Sequence, residues 1–179
     1  VVAGTAKVLI QSGEIWPNHP CCVVVAKSSF ARDNPNTVAK VLKAHVEANL
    51  WIWDAIANKD TNPENYSKLL EMGTRFSDRD TDVIEASLQN MKLTYDITPE
   101  TVSYLRMYTN AYINASLIRP NRVPNVDIFV NKLVDTSYLE MVASVKPVQQ
   151  GSTPTPVHIG YLQGDLHQYA RVVAEEPGL

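Results

Sequence analysis

Long apolar runs are missing from this sequence. No stretch approaches the roughly 20 consecutive apolar residues of a membrane-spanning helix, so no helical span is expected. Cysteine is scarce as well: Cys21 and Cys22 are the two in 179 residues. Neighbours in sequence seldom reach disulfide geometry, so both are expected as thiols, and no disulfide framework reveals a redox compartment. A charge excess of one sign is also lacking. Lys and Arg total 16 against 19 Asp and Glu, a formal net charge of -3, and the bases are scattered. Nothing there makes an electrostatic footprint for nucleic acid or a membrane surface. No Gly-rich phosphate loop, GxSxG elbow or HExxH occurs, and the run Asp78-Arg79-Asp80-Thr81-Asp82 lacks the glycine and distal Glu of a calcium loop. Val1-Val2-Ala3-Gly4 lacks the basic-then-apolar layout of a signal peptide. What is present, 45% hydrophobic and 20% charged residues, suffices for one proper core.

Two early segments read as strands, Lys7-Val8-Leu9-Ile10-Gln11 and Cys21-Cys22-Val23-Val24-Val25-Ala26. The second is a continuous β-branched run suited to a strand buried on both faces. Residues 12–20 carry Gly13, Pro17 and Pro20 and predict a loop. After Asp33 the period changes. Asp33 or Asn34 caps a helix that admits Pro35 in its first turn, with Val38, Val41, Leu42, His45, Ala48 and Ile52 on one face to about Asn58. A second helix starts at Asn62-Pro63-Glu64, buries Leu69, Leu70 and Met72, and is expected to stop at Gly73. Asp80 or Thr81 opens a third through Val83, Ile84, Leu88 and Met91. Thr98-Pro99-Glu100 opens a fourth, with Val102, Leu105, Thr109, Tyr112, Ile113 and Ser116 on its face. Residues 126–138 form a less regular fifth patch.

Composition then shifts. Residues 147–156 hold Pro147, Pro154 and Pro156 among Gly, Ser, Thr and Gln, the makings of a linker. Beyond it Val157-His158-Ile159-Gly160-Tyr161-Leu162 reads as a strand, and Leu166, Tyr169, Ala170, Val173 and Ala174 as a helix face. The expected domains are residues 1–146, mostly helical after two strands, the linker 147–156, and a strand and helix at 157–179.

Two segments carry a family resemblance. Phe30 followed by Pro35-Asn36-Thr37-Val38-Ala39-Lys40-Val41-Leu42-Lys43-Ala44-His45-Val46-Glu47-Ala48 is similar to the helix that follows the last crossover in nitrate-, sulfonate- and taurine-type solute-binding proteins of ABC importers, the NMT1/THI5-like branch. Val157-His158-Ile159-Gly160-Tyr161-Leu162-Gln163-Gly164-Asp165-Leu166-His167-Gln168 resembles the first strand and helix of the mature protein in that family, and the preceding Ser/Thr/Pro spacer resembles a lipoprotein tether. The order is permuted, as across a tandem junction. The resemblance implies an α/β fold, one lobe of a type II periplasmic binding protein with a short, mostly parallel sheet. It implies an extracytoplasmic or membrane-tethered binder of a small solute, partnered by an importer permease, without a cofactor or a catalytic step. Exchange of the last strand and helix between two copies, a swapped homodimer, is an alternative way to complete the sheet. The rival readings are a pyrimidine-precursor synthase-like enzyme, which the cysteine pair faintly resembles, and a helical module that binds no solute.

Open α/β sheets bind ligands beyond strand carboxyl ends, where helix N-termini offer free N–H groups. That places candidate ligand contacts at Gln163, Gly164, Asp165, Leu166 and His167, with Asp165 as a simple cap the competing reading. Trp16, with Glu14 beside it, is the second candidate, an aromatic wall for a small solute or merely an anchor for the loop. His19-Pro20-Cys21-Cys22 is not expected to hold a metal, because consecutive side chains on a strand point to opposite faces. Trp51 and Trp53 stand two apart on a helix and cannot share a face. His45 and His158 are solitary and read as structural.

Overall fold

The computed structural model describes residue 4 and residues 6–146 and 156–176. Among these residues the protein is all-helical, which overturns the expected α/β fold. The helices are α1 (Ser12–Ile15), α2 (Ser28–Asp33), α3 (Pro35–Ala57), α4 (Pro63–Ser77), α5 (Thr81–Gln89), α6 (Pro99–Asn114), α7 (Val126–Leu133), α8 (Ser137–Met141) and α9 (Tyr169–Ala174). The linker expected at 147–156 lies, apart from Pro156, outside the described residues.

None of the three expected strands forms. Residues 7–11, 21–26 and 157–162 have no regular structure apart from a bend at Leu9. Their apolar side chains face solvent: Leu9 is 95% exposed, Val25 74% and Leu162 69%. The physical reason is that β-branched residues favour an extended backbone but do not supply a partner, and ladder pairing is non-local. Helical hydrogen bonds close within the segment, and the amphipathic stripes find one another.

Helix starts were more legible. Pro stands in the first turn of α3, α4 and α6, where its missing N–H costs nothing. The Thr98 hydroxyl accepts from Thr101 N at 3.2 Å, and the Asn125 side chain accepts from Ile128 N at 2.9 Å. The fifth patch breaks into α7 and α8. The expected stop at Gly73 is wrong, since α4 continues through it to Ser77 and ends on Asp78 in the left-handed region at φ 56°.

The chain divides into two compact units, Val1–Val23 with Asp96–Glu140 and Val24–Tyr95 with Met141–Leu179. In the first, α6 packs on α7. Arg106 Nε donates to Asp127 Oδ1 at 2.8 Å and its Nη2 to Asn131 Oδ1 at 2.9 Å. Val123, Val130 and Thr109 are buried there.

The second unit has the larger core. Ala48, Ile52 and Ala55 of α3, Leu69, Leu70 and Met72 of α4, Ile84 of α5, and Tyr169, Ala170 and Val173 of α9 form one cluster. Trp51 packs against that cluster, whereas Trp53 faces away and stacks on Tyr95 with ring centroids 5.5 Å apart. Its indole N–H donates to the Leu93 carbonyl at 2.8 Å. His45 lies in α3, where burial holds its imidazole below the ordinary range.

Gly73 is buried because Tyr169 needs the space. A Cβ there would stand 2.5 Å from the Tyr169 hydroxyl oxygen and 2.7 Å from Ile84 Cγ2. The Tyr169 hydroxyl donates to the Leu69 carbonyl, and burial pushes its pKa well up. Gly73→Ala is expected to lower stability by about 2 kcal/mol. Overpacking costs about 1–3 kcal/mol, the lost hydrogen bond adds about 1, and helix propensity returns about 1. In urea denaturation, Gly73→Ala combined with Tyr169→Phe should cost less than the sum of the two single changes, because both act on one contact. A stabilising Gly73→Ala would contradict this packing.

Candidate functional site

The seven candidate residues divide between the two units. Glu14 and Trp16 belong to the first. Glu14 closes the single turn of α1 by accepting Gln11 N–H on Oε1 at 2.8 Å, which occupies one carboxylate oxygen locally. Trp16 follows, and its carbonyl accepts from His19 Nδ1 at 2.7 Å. Asn18 adopts φ 57° to turn the chain.

The turn is clamped onto α6. The Tyr104 hydroxyl donates to the Pro17 carbonyl at 2.7 Å and the Tyr108 hydroxyl to the Pro20 carbonyl at 3.3 Å. The Trp16 ring meets Tyr108 edge-on at 6.1 Å between centroids and lies 6.3 Å from His19. Trp16 nevertheless stays 44% exposed, so one indole surface is anchored and another is open. Burial, then Tyr104, Cys21 and Tyr112, pushes the Tyr108 phenol up. The sequence reading of α6 passed over Tyr104 and Tyr108. Their signal was the i, i+4, i+8 spacing of Tyr104, Tyr108 and Tyr112, which puts three tyrosines on one helix face.

Gln163, Gly164, Asp165, Leu166 and His167 belong to the second unit. The expected strand before them is instead held by side chains. The Arg171 guanidinium lies 3.9 Å from the Tyr161 ring centroid and 5.2 Å from that of Phe76, one cation over two aromatic rings that also meet each other, with centroids 6.3 Å apart. Arg171 Nη1 donates to Glu175 Oε2 at 2.6 Å. Gln163 Nε2 donates to the Phe76 carbonyl at 3.0 Å, and Gln168 Nε2 to the Leu162 carbonyl at 3.2 Å. Gly164 takes φ +77°, where L side chains are strained. Leu166 packs against the core.

Asp165 caps the 3₁₀ turn of residues Leu166–Gln168 that leads into α9. Its Oδ1 accepts from His167 N at 3.0 Å and from His167 Nδ1 at 2.7 Å. Partial burial pushes this carboxyl up, but the hydrogen bonds from His167 and Gln168 outweigh it and hold the carboxyl below its ordinary range. The turn thus spends its polar groups on itself and on α4. With six residues, α9 has little dipole to offer a charge.

Asp165→Ala is expected to cost about 1 kcal/mol, the usual value of an N-cap. The sign of the pH dependence follows from the lowered carboxyl. Its contribution is present above the unfolded pKa, near 3.8, and is lost as pH falls through the lower folded value. Denaturant midpoints of wild type and Asp165→Ala should differ at neutral pH and converge in strong acid. A constant difference down to that range would remove the capping role.

Three comparisons with known proteins bear on this geometry. Residues 2–69 match the model of the NMT1-like family. No curated protein and no solved structure matches. The matched segment takes in Trp16, Phe30 and all of α3 and ends within α4, so it includes the first segment that carried the resemblance and excludes residues 157–168. It covers less than half of the chain. Within that segment the sequence is similar to the NMT1-like family.

Proposed function

We propose that this chain is the solute-binding component, or part of it, of an extracytoplasmic ABC importer system for a small solute of the nitrate, sulfonate or taurine type, and that it performs no covalent step. The observation that carries the reading is the NMT1-like match over residues 2–69. Trp16 lies inside that segment and presents an open indole surface on a turn fixed by two tyrosine hydrogen bonds. Preorganised aromatic surface suits a small solute, since little side-chain entropy is lost on binding. Trp16 and its turn are therefore the first solute contact in this proposal. Residues 163–167 come second, because Gln163 Nε2, Asp165 Oδ1 and His167 Nδ1 already have partners.

A second reading, a helical module that binds another protein and no solute, draws on the exposed apolar residues Leu9, Val25 and Leu162. Thermal unfolding with nitrate, taurine and a short alkanesulfonate separates the two. A solute that binds the folded chain raises Tm with its concentration by mass action. The expected result is such a rise for one of the three, lost in Trp16→Ala and kept in Asp165→Ala. A Tm that stays flat with all three would sink the solute reading and favour the module.

A further inference from the structure

We infer that Cys21 and Cys22 form a two-thiolate chelating site for a thiophilic metal or metalloid centre. On a pleated strand their side chains would point to opposite faces, which was the ground for expecting no metal there. The segment is not a strand, and the two sulfurs lie 4.0 Å apart.

That separation suits a chelate. A tetrahedral ion with metal–sulfur bonds of about 2.3 Å, as for zinc, holds two thiolates about 3.8 Å apart. The observed distance of 4.0 Å is within a few tenths of an ångström of the chelate. Thiolates favour soft and borderline centres over magnesium or calcium. Both cysteines are exposed, so an incoming ion or reagent reaches them without opening the core. The Tyr108 hydroxyl holds the adjacent Pro20 carbonyl at 3.3 Å and fixes the chain just before the pair.

Phenylarsine oxide is a suitable probe because its arsenic takes two thiolates without redox chemistry. Two S–H bonds break and two S–As bonds form. The arsenic–oxygen bond breaks, and the oxygen leaves with both protons as water. The full chain, treated with an equimolar amount, is expected by intact mass to carry one phenylarsenic group. That group should persist in excess monothiol and leave on addition of a small dithiol. Cys21→Ser and Cys22→Ser, with helical circular dichroism unchanged, should each lose the monothiol-resistant adduct. An adduct stripped by monothiol from the wild-type chain, or retained by either single variant, would overturn the site.

Discussion

Tyr169 is the contact on which the second unit depends. Its ring fills the space left by the missing side chain of Gly73, and its hydroxyl reaches the Leu69 carbonyl within α4. A buried phenol without a partner would cost about 1–3 kcal/mol. With this acceptor it instead fixes the depth at which α9 seats. Ala170 and Val173 then fall on the same buried face as Ile52 and Leu69. A helix of six residues cannot persist alone in water, so α9 exists because this packing holds it. The turn before it is organised by the same docking: Gln163 reaches the Phe76 carbonyl, and Arg171 lies over the rings of Phe76 and Tyr161.

Helices were legible in the sequence wherever their signal is local. Asn34-Pro35, Asn62-Pro63 and Thr98-Pro99 mark the starts of α3, α4 and α6 within a residue, because the fixed φ of proline acts on the chain next to it. Of the three preceding residues Thr98 alone also makes a side-chain cap bond, whereas the Asn34 amide donates to the Phe30 carbonyl. The face of α9 was read from its periodicity: Tyr169, Ala170 and Val173 are buried as expected, whereas Ala174 is exposed. Sheet structure was read from residues 7–11, 21–26 and 157–162 on composition alone. Composition says that a segment can be extended but not what lies beside it. The Gly73 error is of another kind. Glycine usually marks a helix end because it tolerates positive φ, but here it serves close packing inside a helix. Only the tertiary contact with Tyr169 and Ile84 reveals that role.

The candidate sites show the same division. Asp165 was legible as a residue at a helix start, and both readings of it were open in sequence. The structure gives its carboxylate two hydrogen bonds from His167, so the group has a structural task whether or not it also meets a ligand. Trp16 was legible as an aromatic in a proline-bearing loop. The tyrosines that anchor that loop lie 87 and 88 residues away from the carbonyls they bond, and no local pattern could connect them. The cysteine pair was read through the strand assignment, which the structure overturns. Once residues 21–26 are not pleated, alternation of side chains no longer applies, and neighbouring thiols can approach.

The central claim is that the described chain is helical, with its core closed by α9 and its β-branched segments unpaired. Amide hydrogen exchange resolved by residue tests this most directly, because protection requires a hydrogen-bonded amide and exposed extended chain has none. The account predicts slow exchange for the interior amides of α3 and α4, the helices against which α9 packs, and fast exchange for residues 23–26 and 157–161. Protection of residues 157–161 comparable to that of α4 would mean that this segment is a paired strand, and would contradict the account.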